Sequence, residues 1–394
     1  MTAPIRGLTP PAAARADFHP VERGQISAQR ALPSSPRPAQ PVAVQPQAVI
    51  EPLRVGAELT VLVPAYNEAA SIADTIRSLQ VQTRPIQQII VIDDCSTDDT
   101  AAVARALGVT VVRPPANTGS KAGAQNFGLG LVQTEMCMAI DADTMLAPDA
   151  LEKIVAALEG TTVAAACGFV IPRHVRTLWE RARYVEYLFA FTFFKQVQDH
   201  YGKPLISSGC FSVYRSDLLK RQGGWSRRTL AEDMDLTWSF YEQGLEVRFV
   251  ADAVCYPIEP HNFHFMSCQL KRWSHGFMQN LIVHWRGLLA VPFLRLAVAV
   301  ALWDGVVASL LYLTVIPALA VLVSPFFLAA FVIDLPAVAV PVLIAAVPRR
   351  EVGRALLSLA CFPVLRVVNS WFLVRAAWSE LVLRHSFSVY EKGH

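Results

Sequence analysis

The sequence has few charged residues and no dense cluster of basic ones. Charged residues make up 17% of the 394 residues, and the net charge is only +3. Binding to nucleic acid depends on many contacts between basic side chains and phosphates, so this composition does not indicate a nucleic acid partner. Hydrophobic residues make up 53% of the chain, which exceeds the share in ordinary soluble proteins and predicts membrane-spanning segments.

Cysteine pairs and an apolar leader segment are both missing from the sequence. The seven cysteines include no C-x-x-C pair, so we predict reduced thiols in the cytosol instead of a zinc site. Residues 1–55 hold ten of the 26 prolines and contain no apolar run of signal-peptide length. Such a segment cannot bury enough apolar surface to offset its ordering entropy, so we predict a disordered tail.

Residues 56–290 alternate between short apolar runs and segments of helical periodicity. Strands are predicted at 59–65, 88–93, 109–113, 136–140 and 206–215. Helices are predicted after Asn67, which we expect to cap the first of them, and at 98–107, 119–131, 177–197 and 229–244. This alternation predicts an α/β fold, with a mostly parallel sheet and helices on both faces. Ligands of such sheets bind beyond the carboxyl ends of the strands.

Acidic side chains follow two of the predicted strands. Asp94 follows the second strand, and Asp141 and Asp143 follow the fourth in a D-x-D spacing. Aspartate is common there as a turn or helix cap, but paired carboxylates also suit Mg²⁺ or Mn²⁺ held together with substrate phosphates. Lys121, in a glycine-bearing turn before a helix, can hold a phosphate through its ammonium group and nearby backbone N–H groups.

The C-terminal part of the chain, residues 291–380, has the composition of a transmembrane region. Residues 296–347 contain two charged side chains, and we predict a hairpin of two spans at about 300–322 and 326–347. Basic residues flank the hairpin and place both of its ends, and residues 56–290, in the cytosol. These residues are Arg286, Arg295, Arg349, Arg350 and Arg354.

A third apolar stretch, 355–378, carries polar residues that include Arg366 and Asn369. This stretch either crosses the membrane with its polar face toward protein or lies on the membrane surface. Residues 381–394 are assigned to a C-terminal tail. The sequence therefore predicts a multi-pass protein of the cell membrane with a cytosolic domain.

Six motifs occur in one order ahead of the last predicted spans. They are VPAYNEA (63–69), DDCSTDDT (93–100), GSKAGAQN (119–126), DAD (141–143), EDMDLTW (232–238) and QLKRW (269–273). Together they resemble those of the family 2 inverting glycosyltransferases. More narrowly, the chain is similar to processive synthases of β-linked polysaccharides, which make cellulose, chitin, hyaluronan or poly-N-acetylglucosamine. The resemblance implies a GT-A type fold.

The resemblance also implies roles for individual residues. The nucleotide part of the donor would contact Glu68, Asp94, Lys121 and Asp141. A Mg²⁺ or Mn²⁺ ion would be held by Asp143 and Asp141. The general base would be Asp233, although acids in a first helical turn are also favoured by the helix dipole. The diphosphate and the acceptor sugar would be closed in by Gln269, Arg272 and Trp273.

The implied activity is transfer of a sugar from a UDP-sugar to a growing β-linked polysaccharide. UDP-N-acetylglucosamine is favoured as donor, because EDMDLTW and FPVLRVVNSWFLVRAAW are closest to poly-N-acetylglucosamine synthases. The partners would be the UDP-sugar, a glycan acceptor and membrane lipid. Residues 1–58 contain no predicted span, which leaves room for an additional membrane or export subunit. Two alternatives stay open: a single-step enzyme acting on a polyprenyl phosphate or glycolipid, and a catalytically silent membrane subunit.

Overall fold

The computed structural model describes residues 50–387. The parts of the predicted tails at 1–49 and 388–394 fall outside the described residues. Within the segment that was assigned to the first tail, Leu53 is buried and forms a β-bridge with Glu159. The domain therefore includes residues on the N-terminal side of the predicted boundary at residue 56.

The described residues form one sheet of eight strands. In chain order these are β1 (Leu59–Ala65), β2 (Gln88–Asp93), β3 (Thr110–Val112), β4 (Met136–Ile140), β5 (Met145–Leu146), β6 (Ala165–Val170), β7 (Phe211–Arg215) and β8 (Val247–Tyr256). Their order in the sheet is β3-β2-β1-β4-β7-β6-β8-β5. Four pairings are parallel and three are antiparallel, because β7 runs against both β4 and β6 and β5 runs against β8.

Helices cover both faces of the sheet, as predicted. They are α1 (Ile72–Gln80), α2 (Thr100–Ala106), α3 (Lys121–Leu129), α4 (Ala150–Ala156), α5 (Leu178–Phe189), α6 (Lys195–His200), α7 (Ser216–Arg221), α8 (Glu232–Glu242), α9 (Phe263–Val283) and α10 (Trp285–Ala290). Neighbouring residues of β1 show the two layers. Val61 and Val63 pack into one hydrophobic core and Leu62 into the other, because successive side chains of a strand point to opposite faces.

Two local predictions were wrong. The strand expected at 206–215 begins only at Phe211, and the residues before it form a loop. Asn67 does not cap α1, whose N-cap is Ser71. Instead Asn67 has a φ of 55° and its side chain accepts a hydrogen bond from the backbone N–H of Thr97 at 2.8 Å. Asparagine tolerates this left-handed backbone better than most residues, so it shapes the loop after β1.

The C-terminal part of the structure is helical and apolar. Two helices are long and apolar enough to cross a membrane, Pro292–Leu322 and Pro325–Ala346. A further pair, Val352–Leu359 and Phe362–Val382, is bent by 54° and is a third candidate if the two helices form one span. The predicted transmembrane character of this region is therefore confirmed in length and composition.

Two polar residues of the third apolar stretch, Arg366 and Asn369, contact other parts of the protein. Arg366 forms ion pairs with Asp304 of the first long helix and with Asp334 at the centre of the second. The side chain of Asn369 donates a hydrogen bond to Glu186 of α5 at 2.8 Å. Charged groups in apolar helices are costly unless they are paired, and these contacts join the helix Phe362–Val382 to three other elements.

Candidate active site

The predicted site residues of the first half of the chain lie at one edge of the sheet. Strands β1, β2 and β4 are parallel neighbours, so their carboxyl ends meet there. Glu68 follows β1, Asp94 follows β2 and Asp141 follows β4. Lys121 opens α3 at the same edge, where the side chain of Ser120 caps the helix by accepting a hydrogen bond from the N–H of Gly123.

The ammonium group of Lys121 is the centre of a compact cluster. It forms an ion pair with Asp141 and donates a hydrogen bond to the carbonyl oxygen of Gly209 at 2.9 Å. The lysine side chain is only 12% exposed, whereas that of Asp141 is 32% exposed. A largely buried ammonium group beside a helix N-terminus is suited to binding an anionic group such as a diphosphate.

Gly209 connects this lysine to the predicted base. Its backbone N–H donates to Asp233 Oδ2 at 2.8 Å, while its carbonyl accepts from Lys121. A Cβ atom at position 209 would lie 2.9 Å from Asp233 Oδ2 and 3.2 Å from Lys121 Nζ. Only glycine fits here without displacing one of these two groups, so a single residue, through its N–H and its carbonyl oxygen, sets the spacing between cation and carboxylate.

Glu232 and Arg272 share the electrostatic environment of this cluster. Glu232 is buried, and burial and then the charge of Asp233 raise its pKa, against the opposing charges of Lys121 and Arg272. Glu232 also lines a cleft of about 200 Å³ together with residues of the loops before α3 and α8. These are Thr118, Gly119, Ser120, Lys121, Ala122, Arg227, Thr229 and Leu230. The cleft is therefore lined by two basic side chains, Lys121 and Arg227, and by one acid, Glu232.

Asp235, the third acid of EDMDLTW, is held by hydrogen bonds outside this cluster. Arg228 donates to both of its carboxylate oxygens, at 2.6 and 2.8 Å, and His284 Nε2 lies 2.8 Å from Oδ1. Burial by itself would raise the pKa of Asp235, but the hydrogen bonds from Arg228 and His284 lower it to about 2. A group so strongly held as an anion is a poor proton acceptor, so Asp235 is a poor candidate for the base.

The D-x-D loop presents two partly exposed carboxylates. Thr75 of α1 anchors this loop by donating to the carbonyl oxygen of Ala142 at 2.8 Å, and the Thr144 hydroxyl donates to Asp143 at 3.2 Å. Among residues 50–387, no group of three or more His, Cys, Asp or Glu side chains is arranged to hold a metal ion. Mg²⁺ commonly takes one or two carboxylates and completes its shell with phosphates and water, so this pair fits an ion that arrives with a nucleotide.

Asp94 and Glu68 lie farther along the same edge and brace loops. Both oxygens of Asp94 accept hydrogen bonds from Thr118, from its N–H and its hydroxyl, each at 2.8 Å. Glu68 is buried and accepts a hydrogen bond from the Ser71 hydroxyl at 2.7 Å. Their assignment to nucleotide binding stays a prediction.

The residues of QLKRW divide between two environments. Arg272 acts electrostatically on Glu232, whereas Gln269 and Trp273 contact Arg183 of α5. Sequence reasoning missed Arg183, Gly209 and Arg227. The GC pair in the predicted strand at 206–215 was the one local signal for Gly209, and Arg183 was hidden among the aromatic residues of its helix.

A second, larger groove of about 670 Å³ contains none of the predicted site residues. It is lined by Gln196, Asp199, His200, Tyr201, Gly202, Glu246, Arg248, Phe249 and Ala251. Its walls come from α6 and the first half of β8. The smaller cleft beside Lys121 is therefore the better candidate for the active site.

Comparison with known proteins identifies two polysaccharide synthases among the relatives of this chain. The chain is 26% identical over 229 residues to poly-β-1,6-N-acetyl-D-glucosamine synthase of Staphylococcus epidermidis and 27% identical over 266 residues to hyaluronan synthase of Streptococcus pyogenes. These matches cover 57% and 62% of this chain, and 55% and 62% of the two relatives. The chain thus spans little more than half the length of these relatives.

The fold is shared with the mannosyltransferase PcManGT of Pyrobaculum calidifontis, solved with GDP-Man and Mn²⁺. That structure matches with a TM-score of 0.56 and 21% identity over 86% of this chain and 92% of its own. The predicted α/β fold class is confirmed. Residues 60–223 match the family described as glycosyl transferase family 2. The predicted family resemblance is therefore also confirmed over these residues.

Proposed function

We propose that this protein is a membrane-bound inverting glycosyltransferase that extends a β-linked polysaccharide from a UDP-sugar, with UDP-N-acetylglucosamine favoured. One observation carries the proposal. Lys121 contacts Asp141 and the carbonyl oxygen of Gly209, whose N–H holds Asp233, so an anion-binding cation, a D-x-D carboxylate and a candidate base form one cluster. The names of the two synthase relatives support a polymer product.

In the proposed reaction Asp233 removes the proton from an acceptor hydroxyl. The hydroxyl oxygen attacks the anomeric carbon of the donor from the face opposite the diphosphate. The bond between that carbon and the diphosphate oxygen breaks, and its electron pair leaves with UDP. The N–H of Gly209 fixes the orientation of the Asp233 carboxylate, and Lys121 and Arg272 stabilise the negative charge of the departing diphosphate.

A divalent cation fits beside these groups. Asp143 and Asp141 would hold Mg²⁺ or Mn²⁺, which neutralises diphosphate charge when bound. Lys121 forms an ion pair with Asp141 in the substrate-free protein, so the lysine keeps the D-x-D loop in place before the donor arrives. The proposed orientation is cytosolic, because the basic residues that follow the second long helix favour the cytosolic side and UDP-sugars are cytosolic donors.

The product of the reaction tests this proposal directly. Membranes containing the protein are incubated with single radiolabelled UDP-sugars, and the products are sized and digested with linkage-specific glycosidases. We expect UDP-N-acetylglucosamine to give β-linked chains many sugars long even at low donor concentration, and membranes without the protein to give none. Products only one sugar longer than a lipid acceptor would contradict polymer synthesis and support the single-step alternative.

Asp233→Asn tests the assignment of the base. The substitution keeps the shape of the side chain but removes its ability to take a proton, so turnover should fall by about 10²-fold or more. UDP affinity, measured by calorimetric titration, should stay nearly unchanged. Asp252→Asn, at an exposed position of β8, is the matched control and should keep wild-type turnover. Near-normal turnover of Asp233→Asn would show that this acid only stabilises the N-terminus of α8.

Removal of the metal tests the role of the D-x-D loop. Excess chelator should abolish sugar transfer, and added Mg²⁺ or Mn²⁺ should restore it. Asp143→Ala should weaken UDP binding when the metal is present and change it little when the metal is absent, whereas Asp217→Ala in α7 should behave as wild type. Undiminished transfer in excess chelator would rule out the metal role.

A further inference from the structure

Arg183 is a buried cation at the base of the QLKRW motif. Its side chain is 0% exposed, although it lies in the middle of the aromatic helix α5. Nη2 donates a hydrogen bond to Gln269 Oε1 at 2.6 Å. The guanidinium carbon lies 4.7 Å from the centre of the Trp273 ring, which is within the range of a cation–π contact. One buried arginine therefore contacts two residues of the motif, Gln269 and Trp273.

Two carboxylates balance the charge of this arginine. Nη1 pairs with Glu186 one turn along α5, and Nε lies 3.6 Å from Glu259 Oε2 in the segment before α9. Glu259 is itself buried and accepts hydrogen bonds from Tyr187 at 2.8 Å and from Gln269 at 3.3 Å. Burial raises the pKa of Glu259, and the charge of Arg183 opposes that rise. The network is closed around Gln269, so this side chain has few alternative positions.

The same network reaches the apolar helices. Asn369 of the helix Phe362–Val382 donates to Glu186 Oε1 at 2.8 Å, while Glu186 Oε2 accepts from Arg183. A series of contacts therefore connects the apolar helix, through Glu186 and Arg183, to the indole of Trp273. The guanidinium covers one face of the ring, and Trp273 as a residue is 37% exposed, so part of it stays open to solvent.

We propose that Arg183 is a positioning residue that fixes Gln269 and Trp273 as a platform for the terminal pyranose ring of the acceptor glycan, and that it ties this platform to the helix Phe362–Val382. This inference rests on the proposed function. An indole covered on one face by a planar cation can offer only its other face to a sugar, so the acceptor stacks in one orientation. Lysine cannot replace arginine here, because an ammonium group lacks the planar face, and its donors all lie on one nitrogen whereas Glu186 and Gln269 are reached from two.

Arg183→Lys tests the proposal, because it keeps the charge and removes the planar fork. The assay uses the UDP-sugar that wild-type protein polymerises and a short β-linked oligosaccharide of the same sugar as acceptor. We expect the KM for the oligosaccharide to rise by about tenfold and the products to become shorter, while UDP affinity changes by less than about twofold. Arg181→Lys, two residues away on the same helix and at its surface, is the matched control and should behave as wild type.

A second variant covers the case in which Arg183→Lys does not fold. Asn369→Leu removes only the hydrogen bond to Glu186, and it should raise the oligosaccharide KM in the same direction without changing UDP affinity. An oligosaccharide KM and product length equal to those of the Arg181→Lys control, in whichever of the two variants is folded, would overturn the inference. Wild-type protein that transfers no sugar to the oligosaccharide would instead contradict the proposed function, so the two failures are distinguishable.

Discussion

The ion pair between Lys121 and Asp141 is the contact on which the rest of the site depends. Lys121 lies at the N-terminus of α3 and Asp141 beyond β4, and the same ammonium also binds the Gly209 carbonyl before β7. Through the Gly209 N–H this arrangement extends to Asp233 in α8. Four segments that are far apart in the chain therefore meet within one chain of polar contacts. In a cleft of low dielectric such contacts are strong, and removing one member leaves a charge without compensation.

Arginine side chains also join separate elements away from this cleft. Arg183 joins α5 to the segment before α9 and, through Glu186, to the helix Phe362–Val382. Arg366 joins that helix to both long apolar helices through Asp304 and Asp334. Ionic contacts of this kind add little net stability, but they require defined partners and so favour one packing of the helices over others. Ion pairs and hydrogen bonds, as well as apolar contacts, therefore fix the position of the apolar helices against the domain that contains the sheet.

The sequence was sufficient to predict those strands and site residues that have a clear local sequence pattern. β1, β2 and β4 were predicted with their correct bounds, because each is an apolar run rich in buried residues. β6 was missed, since AACGFV is made mostly of small residues without a strong strand preference. In the site, the acids at the strand ends and Lys121 were evident from local patterns. Arg183 was not, because its role is defined by Glu259, Gln269 and Trp273, which lie 76 to 90 positions away and meet it only in the folded protein.

The most direct measurement of the central claim is a calorimetric titration of Lys121→Gln with UDP in the presence of Mn²⁺. If Lys121 binds the diphosphate and holds the D-x-D loop, UDP affinity should fall at least about tenfold, as expected for loss of a hydrogen bond to a charged group. The fall should be smaller at high salt, where the wild-type affinity is itself reduced. Lys153→Gln, which removes a surface ion pair with Asp149, should bind UDP as wild type does. Equal UDP affinity in Lys121→Gln and wild-type protein would contradict the account.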